Sequence, residues 1–221
     1  MKRKPYLKQK LTYTDTGKLL DENGRSVMMD WETEWMRESA NVVCSNGGDI
    51  LNIGFGMGII DTFIQGHNIK SHTIIEAHPD VYQKMIEDGW DKKPNVTIIY
   101  SLWQDVIHKL PKYDGIYFDT WADKDHYTLL FPAISKIIKP NGIFSYWEGH
   151  SDNDVCNYTK SILHSEFDFD KKIVKLDNVP TAEEQFENET EKDSAYFPPE
   201  WSQCVIPIIT HRKTKFIKPL L

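Results

Sequence analysis

Asp49-Ile-Leu-Asn-Ile-Gly-Phe-Gly-Met-Gly-Ile-Ile60 decides the fold. An apolar strand runs into three alternate glycines, Gly54, Gly56 and Gly58, and then into residues with helical periodicity. Glycine lets the backbone turn tightly and approach a ligand that a Cβ would exclude. A second apolar run, Thr73-Ile-Ile75, ends in Glu76. An acid at the tip of the second strand of an α/β sheet is placed to accept from ribose hydroxyls. The glycine turn and the acid together predict a cofactor that contains a nucleoside.

Outward from this stretch the pattern alternates. Strand Asp49–Ile53 precedes helix Ile59–Gln65, and strand Thr73–Glu76 precedes helix Pro79–Gly89, with Pro79 in the first turn. Strand Val96–Tyr100 precedes a short helix Trp103–Leu110, and strand Gly115–Asp119 precedes a helix over Tyr127–Ile138. Lys139-Pro-Asn-Gly142 reads as a turn before strand Ile143–Tyr146. Alternation of this kind predicts an α/β fold: a mostly parallel, doubly wound sheet with helices on both faces. Right-handed crossovers then bring the strand tips to one edge.

The flanks are less regular. Residues 1–26 read as a basic, turn-rich arm with a hairpin, and the spacing of Met28, Trp31, Trp35, Met36, Val42 and Val43 predicts an amphipathic helix over Val27–Val43. Past residue 150 we expect a helix over Asp152–Phe167, a strand over Lys171–Asp177 and a strand over Gln203–Thr210. The acidic run Thr181–Ser194 reads as a solvated segment. The whole is expected to be one domain over 1–221: an N-terminal arm and lid (1–45), a cofactor-binding core (46–148) and a C-terminal substrate-side half (149–221).

Composition narrows the class. A net charge of −7 opposes non-specific binding to nucleic acid, which needs basic surface. Cys44, Cys156 and Cys204 form no CxxC pair, so neither a zinc knuckle nor a redox motif is expected, and no metal site. The basic start MKRKPYLKQK has no apolar core behind it, and no apolar run approaches the length of a membrane span. We therefore expect a cytoplasmic chain with access to the nucleus, monomeric or dimeric.

The glycine pattern separates two cofactor classes. Dinucleotide folds favour GxGxxG, whereas here the turn is GxGxG and Ile59 follows it. That form, with Glu76, suits S-adenosylmethionine, which has no pyrophosphate to place at a helix N-terminus. Ser101-Leu-Trp-Gln-Asp105 follows the third strand, where Trp103 offers an apolar face to a base or packs in the core. Asp119 ends the fourth strand beside the crevice in which open α/β sheets bind ligands. A second carboxylate is available in Val27-Met-Met-Asp-Trp-Glu-Thr-Glu-Trp-Met36, where Glu32 is the leading candidate and Asp30 and Glu34 are rivals.

At these residues the chain resembles the guanidino N-methyltransferases, the family of guanidinoacetate N-methyltransferase and the protein arginine δ-N-methyltransferases. The resemblance is carried by VMMDWETEWM (27–36), ILNIGFGMGIIDTFIQ (50–65), HTIIEAHPDVYQKM (72–85), Gly89–Val96, SLWQDV (101–106), YDGIYFDTW (113–121) and IIKPNGIFSYW (137–147). It implies a Rossmann-like class I S-adenosylmethionine-dependent methyltransferase. By the same resemblance, Trp31, Glu32, Asp119, Thr120 and Trp121 hold the guanidino group, with Glu32 and Asp119 catalytic. Cofactor contacts map to Met28, Met36, Gly54, Phe55, Gly56, Met57, Gly58, Ile59, Glu76, Ala77, His78, Leu102, Trp103 and Asp119. Trp121 departs from the tyrosine of the guanidinoacetate enzymes, and KPNG replaces KPGG. The expected substrate is arginine in protein. A small guanidino acid is the alternative, and a non-catalytic cofactor- or partner-binding domain is a further one.

Overall fold

The computed structural model describes residues 3–121, 126–147, 163, 166–177, 179, 181 and 203–212. The chain opens with one helical turn, α1 (Arg3–Tyr6), and a small antiparallel sheet of β1 (Thr12–Tyr13), β2 (Lys18–Leu20) and β3 (Ser26–Met29). A 3-10 turn, Asp30–Glu32, leads into α2 (Thr33–Val43). The amphipathic helix expected over Val27–Val43 is therefore divided. Met28 and Met29 pair with β2 as strand residues, and the Glu32 side chain accepts the Met29 N–H at 2.9 Å, closing the turn that delays the helix to Thr33.

The main sheet follows: β4 (Gly48–Ile53), α3 (Ile59–Gln65), β5 (Ile69–Glu76), α4 (Pro79–Glu87), β6 (Val96–Tyr100), α5 (Trp103–Val106), β7 (Tyr113–Phe118), α6 (His126–Ile137), β8 (Ile138–Tyr146), β9 (Phe167–Lys175) and β10 (Gln203–His211). Its seven strands lie in the order β6-β5-β4-β7-β8-β10-β9. The first five pair in parallel, while β10 pairs antiparallel with both β8 and β9. This is the mostly parallel Rossmann-like arrangement that alternating strands and helices predict. Chain order reverses at β4, which puts the crevice for ligands at its C-terminal tip.

Alternation along the strands sends side chains to two cores, one on each face. Ile50 and Ile74 pack with Trp35, Met36 and Val43 of α2, Ile60 and Ile64 of α3, and Met85 of α4. Leu51, Ile53 and Ile75 pack on the opposite face with Trp103, Ile107, Leu130, Phe131 and Ile134. Three expected boundaries shift. The segment Lys139–Gly142 is a bulge inside β8 rather than a turn before it: Asn141 adopts φ 63°, and the register against β7 slips there. The strand expected over Lys171–Asp177 runs Phe167–Lys175, so Phe167 closes no helix. Of the helix expected over Asp152–Phe167 only residues 163, 166 and 167 are described, and of the acidic run 181–194 only residue 181; the rest lie outside the described residues.

Three strand tips meet at Gly54. Its N–H donates to Ile75 O of β5, and the Asp119 N–H donates to Ile53 O of β4, both at 2.9 Å. A Cβ built at Gly54 would sit 1.7 Å from the Asp119 carbonyl oxygen, and φ there is +95°. Gly54→Ala should therefore lose about 3 kcal/mol or more, at the upper end of single-substitution effects, measured by chemical denaturation.

Candidate active site

One cleft runs along the strand tips, enclosing about 810 Å³ of empty space that includes open solvent. It is lined by the ends of β4 (Ile53–Gly56), β5 (Ile75–His78), β6 (Ser101–Trp103) and β7 (Asp119–Trp121), and roofed by Tyr6, Leu7, Val27 and Met28 of the N-terminal arm.

Glu76 is buried at the floor. Its Oε2 accepts from Phe55 N at 2.9 Å, and its Oε1 accepts from Ala77 N and His78 N at 2.6 Å each. Burial raises its pKa, and backbone N–H groups of His78, Phe55, Ala77 and Gly56 oppose the rise. The acid thus ties the glycine turn to the tip of β5. The glycines are also needed for packing within the protein. The space that a Cβ would take is filled by protein, by the Asp119 carbonyl at Gly54 and by Met28 Sδ, 2.8 Å away, at Gly56. Their smallness lets the arm and β7 close on the turn.

The arm is fastened at four points. Tyr13 Oη donates to Gly56 O at 3.0 Å, Met57 N donates to Met28 Sδ at 3.3 Å, Leu11 N donates to Asp80 Oδ2 at 2.9 Å, and His78 Nε2 lies 3.2 Å from Tyr6 O. His78 Nδ1 accepts from Asp80 N and caps α4, so His78 works as a neutral tether, its pKa lowered by burial. Tyr6, Leu7 and Tyr13 had no signal in the sequence, because their contacts reach across tens of positions to the glycine turn and α4.

Two carboxylates are within electrostatic reach of one another, although Glu32 is not among the residues lining the cleft. Asp119 lines it, and burial together with the nearby Glu32 carboxylate pushes its pKa up to about 8. Glu32 is buried, held by Met29 N at Oε1 and by Trp147 Nε1 at Oε2, 3.3 Å away. The Trp147 ring stacks on Trp35 at 5.2 Å. The rivals stand elsewhere: Asp30 is exposed, and Glu34 pairs with Arg37 on the surface of α2. Trp147 closes the IIKPNGIFSYW segment, yet nothing in that segment signals its bond to Glu32, 115 positions away.

The remaining expected contacts divide. Phe55, Ala77, Leu102, Trp103, Thr120 and Trp121 line the cleft with Gly54, Gly56, Met28, Glu76 and His78. Trp31, Met57, Gly58 and Ile59 do not, and Met36 is in the core, where its Sδ accepts from Tyr117 Oη at 3.8 Å. Thr120 Oγ1 and Trp121 Nε1 are buried and have no hydrogen-bond partner among the described residues. Among the described lining residues there are two carboxylates and neither Lys nor Arg. That lining disfavours a pyrophosphate and accepts a nucleoside bearing positive charge.

The sheet order, the glycine turn and a cleft at the strand tips define the Rossmann-like class I methyltransferase architecture. The N-methyltransferase NodS from Bradyrhizobium japonicum WM9, solved in complex with S-adenosyl-L-homocysteine, shares it with a TM-score of 0.57 at 13% identity, over 83% of this chain and 89% of that one. Within that architecture, a family profile described as guanidinoacetate N-methyltransferase matches residues 3–198, and the chain belongs to that family. Protein arginine N-methyltransferase 2 of Candida glabrata is 43% identical over 183 residues, and that of Saccharomyces cerevisiae 41% over 184, each match covering 78% of this chain. The chain spans 42% of the length of either relative. Among the described residues no helix is long and apolar enough to cross a membrane.

The raised Asp119 pKa has a signed consequence for stability. Between the ordinary aspartate value of 3.8 and about 8 the folded state holds a proton that the unfolded chain releases. Stability should therefore fall as pH rises through this window and level off above about 8. Asp119→Asn should remove that component of the slope in denaturation curves measured from pH 4 to 9.

Proposed function

We propose that this chain is an S-adenosylmethionine-dependent N-methyltransferase whose substrate is a guanidino group, with arginine in a protein as the acceptor. One feature supports the reading: Glu32 and Asp119, from distant elements, are within electrostatic reach, and burial together with the Glu32 charge raises the pKa of Asp119. A guanidinium cation is what such a pair is suited to receive, since each carboxylate can accept from different nitrogens of the planar fork. The names of the relatives and the family profile agree with this chemistry.

Free guanidinium has no nitrogen lone pair available for attack, and removing its proton in bulk water at pH 7 would cost about 8 kcal/mol. Glu32, held by two N–H donors, stays fixed and binds one edge of the cation. Asp119 gives up its own proton as the cation enters, then accepts the N–H proton that the substrate nitrogen loses on forming its bond to carbon. S-adenosylmethionine, when bound, supplies a methyl group already activated on a sulfonium. Glu76, Ala77, His78, Ser101, Leu102, Trp103 and the Gly54–Gly56 turn would hold it. Thr120 Oγ1 and Trp121 Nε1 offer unspent hydrogen-bonding capacity to either ligand. Residues 1–45 act as arm and lid, 46–148 as the cofactor core and 149–221 as the substrate-side half of one domain.

Protein arginine is favoured over a small guanidino acid because the described lining has no Lys or Arg to neutralise a substrate carboxylate. Cys44 and Cys204, free and buried, fit a reducing cytoplasmic or nuclear compartment.

Incubation with methyl-labelled cofactor, cell extract and small guanidino compounds tests the acceptor. Label in protein bands supports the reading, and label only in a small product replaces it with the guanidino-acid alternative. Glu32→Gln and Asp119→Asn should each lower turnover at least ~10²-fold while S-adenosylhomocysteine affinity is largely kept. A variant with near-normal turnover would remove that residue from catalysis. Binding of an arginine peptide to the wild type at pH 7 should release a proton from Asp119, seen by calorimetry in buffers of different ionisation enthalpy. Asp119→Asn should release none.

A further inference from the structure

Asn52 is the one polar residue in the apolar run Ile50-Leu-Asn-Ile53, and it is fully buried. It faces α3, where Asp61 is also fully buried, in the first turn of that helix. Asn52 Nδ2 lies 2.9 Å from both Asp61 carboxylate oxygens and donates to Gly54 O at 2.8 Å. Beyond Asp61 stands His72 of β5, fully buried, with Nε2 3.1 Å from Asp61 Oδ1: an ion-pair distance, not aligned as a hydrogen bond. Gln65 Nε2 lies 3.1 Å from His72 Nδ1. With the Gln65 amide donating, His72 carries its proton on Nε2, toward the carboxylate. The His72 ring meets the edge of Trp90 at 6.4 Å, and Trp90 in turn packs against Phe55 of the glycine turn at 5.2 Å.

None of these four polar side chains lines the cleft, and none takes part in the chemistry above. A buried carboxylate and imidazole are costly to desolvate and are often replaceable by apolar residues, so stability alone is a weak reason for them. Their geometry supplies a better one. Both ends of the cluster reach the glycine turn, one through Asn52 to the Gly54 carbonyl and the other through Trp90 to Phe55. Gly54 is the peptide at which the tips of β4, β5 and β7 are joined, with the Asp119 carbonyl packed where its Cβ would be.

We propose that Asp61 and Asn52 are positioning residues of the cleft: the buried carboxylate orients the Asn52 amide, and that amide holds the Gly54 peptide, on which the cofactor turn and the backbone of Asp119 both rest. The inference rests on the functional reading only in taking S-adenosylhomocysteine as the probe. Asn52 must present N–H groups in two directions, to an anion and to a carbonyl. Asp61 as a carboxylate accepts from Asn52 and has the His72 Nε2 3.1 Å away on its other side. Asn in place of Asp61 would put an amide N–H₂ against one of two existing donors, and the Asn52 amide would lose its fixed orientation.

The test uses the full chain with three readouts: S-adenosylhomocysteine affinity by calorimetry, hydrogen exchange at the Gly54 amide, and Tm. Asp61→Asn should weaken S-adenosylhomocysteine binding at least tenfold and speed exchange at Gly54 at least tenfold. Asn52→Ala should do the same, and it stands in if Asp61→Asn does not fold. The exchanged double variant Asn52→Asp/Asp61→Asn restores an Asp–Asn pair but leaves no donor for Gly54 O. It should regain Tm relative to Asp61→Asn without regaining affinity. Affinity and exchange within twofold of the parent in a folded single variant would overturn the inference. So would an exchanged double variant that regains affinity along with Tm, since the pair would then be merely structural. If the parent chain binds no S-adenosylhomocysteine, the functional reading fails, and exchange at Gly54 alone decides: faster exchange in the variants supports the positioning role, and unchanged exchange overturns it.

Discussion

Two carboxylates that share one partly dry site cannot both carry charge cheaply, and the chemistry assigned to this chain follows from that constraint. Glu32 has two N–H donors fixed on it, from the backbone of Met29 and the indole of Trp147. Asp119 feels burial and the Glu32 charge, and its proton affinity rises by several orders of magnitude. Environments that push two neighbouring acids apart divide their labour, with one a standing anion and the other a proton carrier. On the proposed reading, a guanidinium would relieve the conflict by supplying the missing positive charge.

The two acids come from elements far apart in the chain, so their meeting depends on how the strand tips are joined. Gly54 is that junction. Its amide bonds β5, its carbonyl is held by Asn52, and its missing side chain leaves room for the Asp119 carbonyl. Glu76 adds a second tie, binding the turn to β5 through backbone N–H groups. The arm adds a third, through Tyr13 and Met28. The cleft is thus shaped by contacts within the chain that converge on the glycine turn.

Local signals were legible where punctuation and periodicity agreed. Gly58 and the spacing of Ile59, Ile60 and Ile64 predicted helix Ile59–Gln65 to the residue, and the alternation of strands and helices carried the parallel sheet. Val27–Val43 misled because Met28 and Met29 satisfy helical spacing as readily as strand pairing, and only the cross-strand partners on β2 decide between them. The glycines were read for the right conformation, while the packing of the Asp119 carbonyl where a Gly54 Cβ would lie is a tertiary fact that no local pattern encodes. Asn52, Asp61 and His72 were invisible for the same reason: three polar residues in apolar surroundings look incidental until the fold puts them in contact. Trp147 and the arm's Tyr6 and Tyr13 act over separations that no local pattern encodes.

The most direct test of the central claim is a carboxyl ¹³C NMR titration of Asp119, assigned by Asp119→Asn, in the wild type and in Glu32→Gln. The account predicts titration near 8 in the wild type and a clearly lower midpoint once the Glu32 charge is removed. An Asp119 that titrates near 4 in both proteins would contradict it, because the two carboxylates would then not share a site.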